Sequence, residues 1–163
     1  MKRSTIIVGT DGSESALKAV EQTAEIAGAR SARLLVVCDH PLTAKERSIL
    51  AAAVAPSSMY QVAGTHAAKE ALEAAKQRAV EAGACHVTAT LVNGDPGQAL
   101  LTMASEQAAD LLVEGNRGIN TLSGRLLGSV PSNVSRRASC HVLIGPTMRG
   151  GPRNPGSSYD TDH

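Results

Sequence analysis

Aromatic side chains are almost missing from this chain, whose 163 residues include no Trp, no Phe and two Tyr. A core without rings has to be assembled from Val, Ile, Leu and Ala, which suits parallel strands buried beneath helices. The same shortage removes the platforms on which single-stranded nucleic acid stacks. Charge of one sign is also missing. A formal net charge of +1 creates no long-range attraction to nucleic acid or membrane, so any anion site has to be local. No apolar run approaches the roughly 18 residues of a membrane span. The apolar stretch after Met1-Lys2-Arg3 stops at Gly9, short of the about 7–15-residue core of a signal peptide. Cys38, Cys85 and Cys140 form no CxxC and cannot all pair, so a reduced, cytoplasmic protein is expected.

Several catalytic signatures are absent too. The chain has no GxxxxGK[ST], no GxGxxG, no GxSxG and no HExxH. Its histidines (His40, His66, His86, His141 and His163) lie apart, and no metal site is expected. A dedicated fast ATPase is therefore not indicated, although slow hydrolysis stays open.

What is present is an alternation of two periodicities. Residues 4–9 form a short apolar run bounded by glycine and predict a first strand. From Ser13, apolar residues at Leu17, Val20, Ala24 and Ala27 follow helical spacing up to Gly28, which is read as the stop. A second strand is expected over 33–38, and 39–63 reads as a loop with a helix-compatible piece at 45–54. Ala68, Ala71, Leu72, Ala75 and Ala79 make one stripe of a helix over 65–82 that Gly83 ends. A third strand spans 85–92, where Cys85 is expected to be core. Asp95 is placed to cap the next helix, with Pro96 in its first turn and Gln98 at the capping-box position. Its inner face carries Leu100, Met103 and Ala104. A fourth strand at 110–114 and a helix bearing Val130, Val134 and Ala138 lead to a fifth strand, 140–144, whose Cys140 also reads as core.

Strands alternating with helices imply an α/β fold: a parallel sheet with right-handed crossovers and helices on both faces. One domain is expected over 1–145. Residues 146–163, rich in Gly and Pro, are expected to be a disordered tail.

Ligands of open α/β sheets bind beyond the carboxyl ends of the strands, where strand order reverses. Two glycine-bearing turns compete for that role: Gly9-Thr10-Asp11-Gly12-Ser13 after strand one, and the turn that opens with Gly115-Asn116-Arg117-Gly118 and closes with Gly128-Ser129. If strands one and four are neighbours, the turns face each other. Missing Cβ atoms let the backbone approach a ligand, and free amides at the following helix start can hold phosphate oxygens. Between Gly115 and Cys140 there are four arginines (Arg117, Arg125, Arg136, Arg137) and no Asp or Glu, which suits a phosphate. The plainer alternative is a connector loop, with Arg136 and Arg137 serving only the helix dipole. Asp11 is either a ligand contact or a helix cap, and Ser13 is read as the cap of the first helix.

The spacing Gly-x2-Gly-x9-Gly-Ser, the turn Val8-Gly9-Thr10-Asp11-Gly12-Ser13 and the run LLGSVPSNVSRRA before the last strand resemble the universal stress protein family over roughly residues 4–145. The resemblance implies a five-stranded parallel sheet of order 3-2-1-4-5, of the adenine nucleotide alpha hydrolase-like type. It implies ATP, with or without Mg2+, or cyclic AMP as ligand, and a homodimer formed through the last strand. The function implied is a ligand-dependent stress-response regulator, with a slow ATP-hydrolysing or adenylate-using enzyme as the alternative. Carried onto this chain, the nucleotide-binding residues are Thr10 and Asp11 after strand one, and Val37 and Cys38, through their backbone, at the adenine edge. Gly115, Gly118, Gly128, Ser129 and Val130 would hold ribose and phosphates, and Arg117 is, of the four arginines, the one read from the sequence as reaching the ligand. Glu114 departs from the family pattern, which has an apolar residue before the first glycine.

Overall fold

Residues 2–39, 66–92, 94–115 and 129–145 are described by a computed structural model. In chain order they form β1 (Thr5–Thr10), α1 (Glu14–Ala29), β2 (Arg33–Asp39), α2 (His66–Glu81), β3 (His86–Val92), α3 (Pro96–Glu106), β4 (Leu111–Gly115), α4 (Ser129–Arg137) and β5 (His141–Gly145). The five strands make one parallel sheet of order β3-β2-β1-β4-β5, as expected. The expected helix at 45–54 and the tail at 146–163 lie outside the described residues.

Alternation along the central strands divides the core between two faces. Ile6, Val8, Leu34, Val36 and Val113 point to one side, where α1 and α2 cover them through Val20, Ala24, Ala27, Ala75 and Ala79. Ile7, Leu35, Val37 and Leu112 point to the other, where α3 and α4 lay down Leu100, Met103, Ala104 and Val134. The inner residues are nearly all aliphatic and mostly small, so the helices sit close to the sheet.

Local chemistry starts α1 and α3 with the caps that the sequence predicts, but Gln98 does not close the expected capping box. Ser13 caps α1 and its Oγ accepts from the Ala16 amide at 3.3 Å. Asp95 caps α3 and Oδ1 accepts from the Gln98 amide at 2.6 Å, with Pro96 in the first turn. The Gln98 side-chain amide runs along the helix to Thr102 Oγ1.

Helix ends correct one expectation. Gly28 is not the stop of α1. It is helical, and a Cβ there would strike the backbone carbonyl oxygen of Gly83, so its role is close packing against the end of α2. The left-handed residue that turns the chain is Ser31, with φ 49°. Three helices end in the same way. Ser31 N donates to Gly28 O and Ala32 N to Ala27 O; Gly83 N donates to Val80 O and Ala84 N to Ala79 O; Ala108 N donates to Ser105 O and Ala109 N to Ala104 O. These are Schellman pairs, in which two amides beyond the helix satisfy its last carbonyls. Only the middle one has glycine at the left-handed position.

Cys85 also departs from expectation. It precedes β3 and is exposed, because the amino-terminal half of this edge strand is only partly covered. Cys140 likewise precedes β5 and is half-buried against the α3/α4 side of the core.

Candidate functional site

β1 and β4 are neighbours, so the two glycine-bearing turns leave the sheet side by side. Their pairing is short. It runs from Ile6–Leu111 to Val8–Val113, while β1 stays paired with β2 through Thr10–Cys38 and β4 with β5 through Gly115–Gly145. Beyond Val8 and Val113 the sheet therefore splits along its middle. This is the reversal point of strand order, where each strand is held only from its outer side.

A crevice of about 170 Å3 opens at the split. Gly9, Thr10 and Asp11 line it from β1, Val37 from β2, and Glu114 and Gly115 from β4; Ser129, Val130 and Pro131 come from the start of α4. The amides of Ser129 and Val130 stand in the first turn of a helix, where no carbonyl of that helix can receive them. They lie beside a region of positive helix-dipole potential. An oxyanion is the natural occupant of that corner.

The turn after β1 is pre-shaped by its own side chains. Thr10 Oγ1 accepts from the Gly12 amide at 3.1 Å. Asp11 Oδ1 accepts from the Ser13 amide at 3.0 Å and from Ser13 Oγ at 2.6 Å. Asp11 is thus not the cap of α1; it holds Ser13, which is. The Gly12 and Ser13 amides are engaged within the protein, which leaves the first-turn amides of α4 as the candidates for holding an anion.

The predicted residues separate into three groups. Thr10, Asp11, Val37, Gly115, Ser129 and Val130 come together around the crevice. The Cys38 side chain faces the other way, against Leu91 and Leu72, so only its backbone, through which the contact is expected, could take part. Arg117, Gly118 and Gly128, like Arg125, fall outside the described residues. Eight of the lining residues were not among the predicted ones. Pro96 and Leu100 enter from α3, and Gly9 forms the floor next to Glu114. Gly9 is legible in the sequence as a turn glycine but not as a contact.

Glu114 is the odd group of the site. It is 8% exposed, and its Oε1 has no hydrogen-bond partner among the described residues. Burial pushes its carboxyl up from an ordinary 4.5 to about 7. The side chain lies over Gly9, in the space that a Cβ there would take. No group of three or more metal-ligating side chains occurs among the described residues. No helix among them is long and apolar enough to cross a membrane.

Comparison with known proteins places this geometry. A profile described as Universal stress protein family matches residues 2–146. The universal stress protein Rv1636 of Mycobacterium tuberculosis is 46% identical over 140 residues, which cover 86% of this chain and 94% of that protein. A universal stress protein whose crystal structure was solved in complex with cAMP is 38% identical and superposes with a TM-score of 0.66, covering 91% of this chain and all of the other. A universal stress protein from Archaeoglobus fulgidus in complex with dAMP, 23% identical with a TM-score of 0.62, covers 88% of this chain and 98% of its own and shares the fold.

Proposed function

The chain belongs to the universal stress protein family, and from that premise we propose that its central crevice binds an adenine nucleotide, cyclic AMP or ATP. The observation that carries this reading is the split between β1 and β4. It brings Asp11, Gly115 and the helix-start amides of Ser129 and Val130 to one opening beyond the carboxyl ends of the strands. A relative 38% identical to this chain was solved in complex with cAMP, which supports the same ligand class here.

In this reading the α4 amides, with Gly118 and Gly128 of the preceding turn, hold the phosphates. Asp11 takes a ribose hydroxyl, Val37 packs on the base, and the β2 backbone near Cys38 meets the adenine edge. Arg117 would add charge to the phosphate side. When ATP is the ligand, Mg2+ would ride on its phosphates. Nothing in the described site looks built for rapid turnover, since Asp11 and Glu114 are the only titratable side chains among the described residues that line it.

Occupancy would then act as a signal. A ligand that binds one conformation of the site better than another favours whichever partner surface needs that conformation. The sheet edge at β5, with Leu143 42% exposed, suits pairing of two copies into a homodimer. The site of action would be the cytoplasm.

Isothermal titration with cyclic AMP, and with ATP with and without Mg2+, tests the reading. Binding heat with a raised melting temperature is expected. No heat and no shift at millimolar concentrations of either nucleotide would sink it. A steady-state assay with Mg2+-ATP checks the rest, because sustained product at ordinary enzyme rates would replace a binding role with a catalytic one.

A further inference from the structure

We propose that Glu114 is a ligand-contacting residue of the crevice, protonated when an anionic nucleotide is bound, so that nucleotide binding takes up a proton. The proposal rests on the crevice being a nucleotide site and adds what governs its affinity.

Geometry puts the carboxyl where a ligand must pass it. Glu114 is the first residue of β4 beyond the last β1–β4 pair, Val8–Val113. By alternation with Leu112 its side chain lies on the α3/α4 face, over Gly9 and against Leu100. It lines the same opening as Asp11, Gly115 and Ser129. The neighbouring backbone is glycine on both sides of the split, at Gly9 and at Gly115, which leaves room for a side chain and a ligand together. Yet Oε1, buried, meets no donor among the described residues.

No described cation faces it. From β1 the nearest titratable group is Asp11, an acid already bonded to Ser13. From α1 there is Glu14, which is exposed; from α3, the exposed Asp95, bonded to the Gln98 amide. Arg136 and Arg137 are exposed in the last turn of α4, the end away from the crevice. β5 offers Ile144 opposite Glu114. A carboxylate in this place is costly because burial removes its water and no described donor replaces it at Oε1.

A phosphate arriving at the α4 amides adds like charge, which favours the protonated acid further. As an acid, Glu114 gains an O–H to donate to a ligand oxygen and keeps an acceptor for a sugar hydroxyl. The free site already holds its proton weakly near neutrality, since burial places the carboxyl at about 7. Binding should therefore weaken as that proton is lost.

Cyclic AMP is the probe, because its phosphodiester stays singly charged throughout the range used. Affinity measured by titration calorimetry is expected to fall about tenfold for each unit of pH above about 7. Repeating the titration near pH 8 in buffers of different ionisation enthalpy should give an uptake approaching one proton per site. Glu114→Gln, which keeps both hydrogen-bonding functions without a titrating proton, should bind with flat pH dependence and uptake near zero. Glu114→Leu should also be flat, and weaker than Glu114→Gln near pH 6 if the side chain bonds the ligand.

Wild-type uptake near zero, or equal slopes for wild type and Glu114→Gln, overturns the proton role while leaving the nucleotide site standing. Glu114→Leu binding as tightly as Glu114→Gln near pH 6 overturns the contact. Absence of cyclic AMP binding by the folded wild-type protein at every pH removes the nucleotide site, and this proposal with it. The wild-type measurement is sufficient even if a variant fails to fold.

Discussion

The two ends of the central β1–β4 pair treat a carboxyl group in opposite ways. At the amino end, Asp110 precedes β4, and its Oδ2 accepts from the Thr5 amide at 2.8 Å. The backbone is stitched there as well: Asp110 N donates to Thr5 O, His141 N to Asp110 O and Arg33 N to Ser4 O. Four residues on, at the carboxyl end, Glu114 is buried over Gly9 without a described partner for Oε1, and the strands have parted. The amino end uses its polar groups to join strands, and all three Schellman turns lie there. The carboxyl end leaves one buried oxygen, Glu114 Oε1, without a partner among the described residues, which is unfavourable for stability. Strand joining and the proposed binding are thus divided along a strand pair only a few residues long.

The largest expected effect is at the buried Glu114 carboxyl. Glu114 rises from an ordinary 4.5 to about 7 on folding, so across that window the folded chain binds more protons than the unfolded chain. Its contribution is most favourable below the lower value and is lost as pH rises through the upper one. The full loss is about 3 kcal/mol, at roughly 1.4 kcal/mol for each pH unit between the two values. Glu114→Leu should flatten that slope in chemical denaturation series and melt above wild type near pH 8. A variant no more stable than wild type there would mean that the carboxyl is answered after all, and the contrast between the ends would fail.

The amino end can be broken by one methyl group. Gly28→Ala sets a Cβ against the backbone oxygen of Gly83, with the Gly83 carbonyl carbon at 3.0 Å. Helix propensity favours Ala over Gly by up to about 1 kcal/mol. Overpacking against rigid backbone costs about 1–3 kcal/mol, and it wins because no side chain is available to yield. A net loss of up to about 2 kcal/mol is expected by denaturant titration, with nucleotide affinity of the folded protein unchanged. Altered affinity would show that the ends are not independent.

Asp110→Ala is a gentler version of the same break. It removes a charge-assisted bond to the Thr5 amide and should cost about 1.5 kcal/mol, read as a lower melting temperature. Asp110 is exposed, so water can reach the freed amide and limit the damage.

These contrasts mark what was legible in the sequence. Local signals were enough for the strands, for the caps at Ser13 and Asp95, and for the inner faces of α1, α2 and α3. Resemblance added the sheet order, which local patterns do not contain. Cys38 and Val37 show the limit at one residue: both read as the end of β2, but only register decides which faces the crevice. Gly28 reads as a helix stop because its true neighbour, Gly83, is distant in sequence. Glu114 stands out against the family pattern, yet its isolation depends on where β1 and β4 part company. That parting shows in the pairing of each strand with its outer neighbour, which no single segment encodes.

The smallest expected effect tests whether the amino end is as settled as its bonding suggests. Two of its three Schellman turns place a side chain in left-handed backbone, at Ser31 with φ 49° and Ala108 with φ 46°. A Cβ in that conformation costs about 1 kcal/mol relative to glycine. Alanine has no side-chain oxygen with which to offset the cost, whereas serine does, so Ala108 is the cleaner site. Ala108→Gly should raise stability by less than about 1 kcal/mol, since glycine also gives the unfolded chain more freedom to lose. Thermal melts of the single variant measure this directly. A rise confirms strain held by well-formed bonds at Ala109 N and Ala108 N. A fall would mean that unfolded-chain entropy outweighs the strain, and that this end of the sheet tolerates left-handed alanine at little cost.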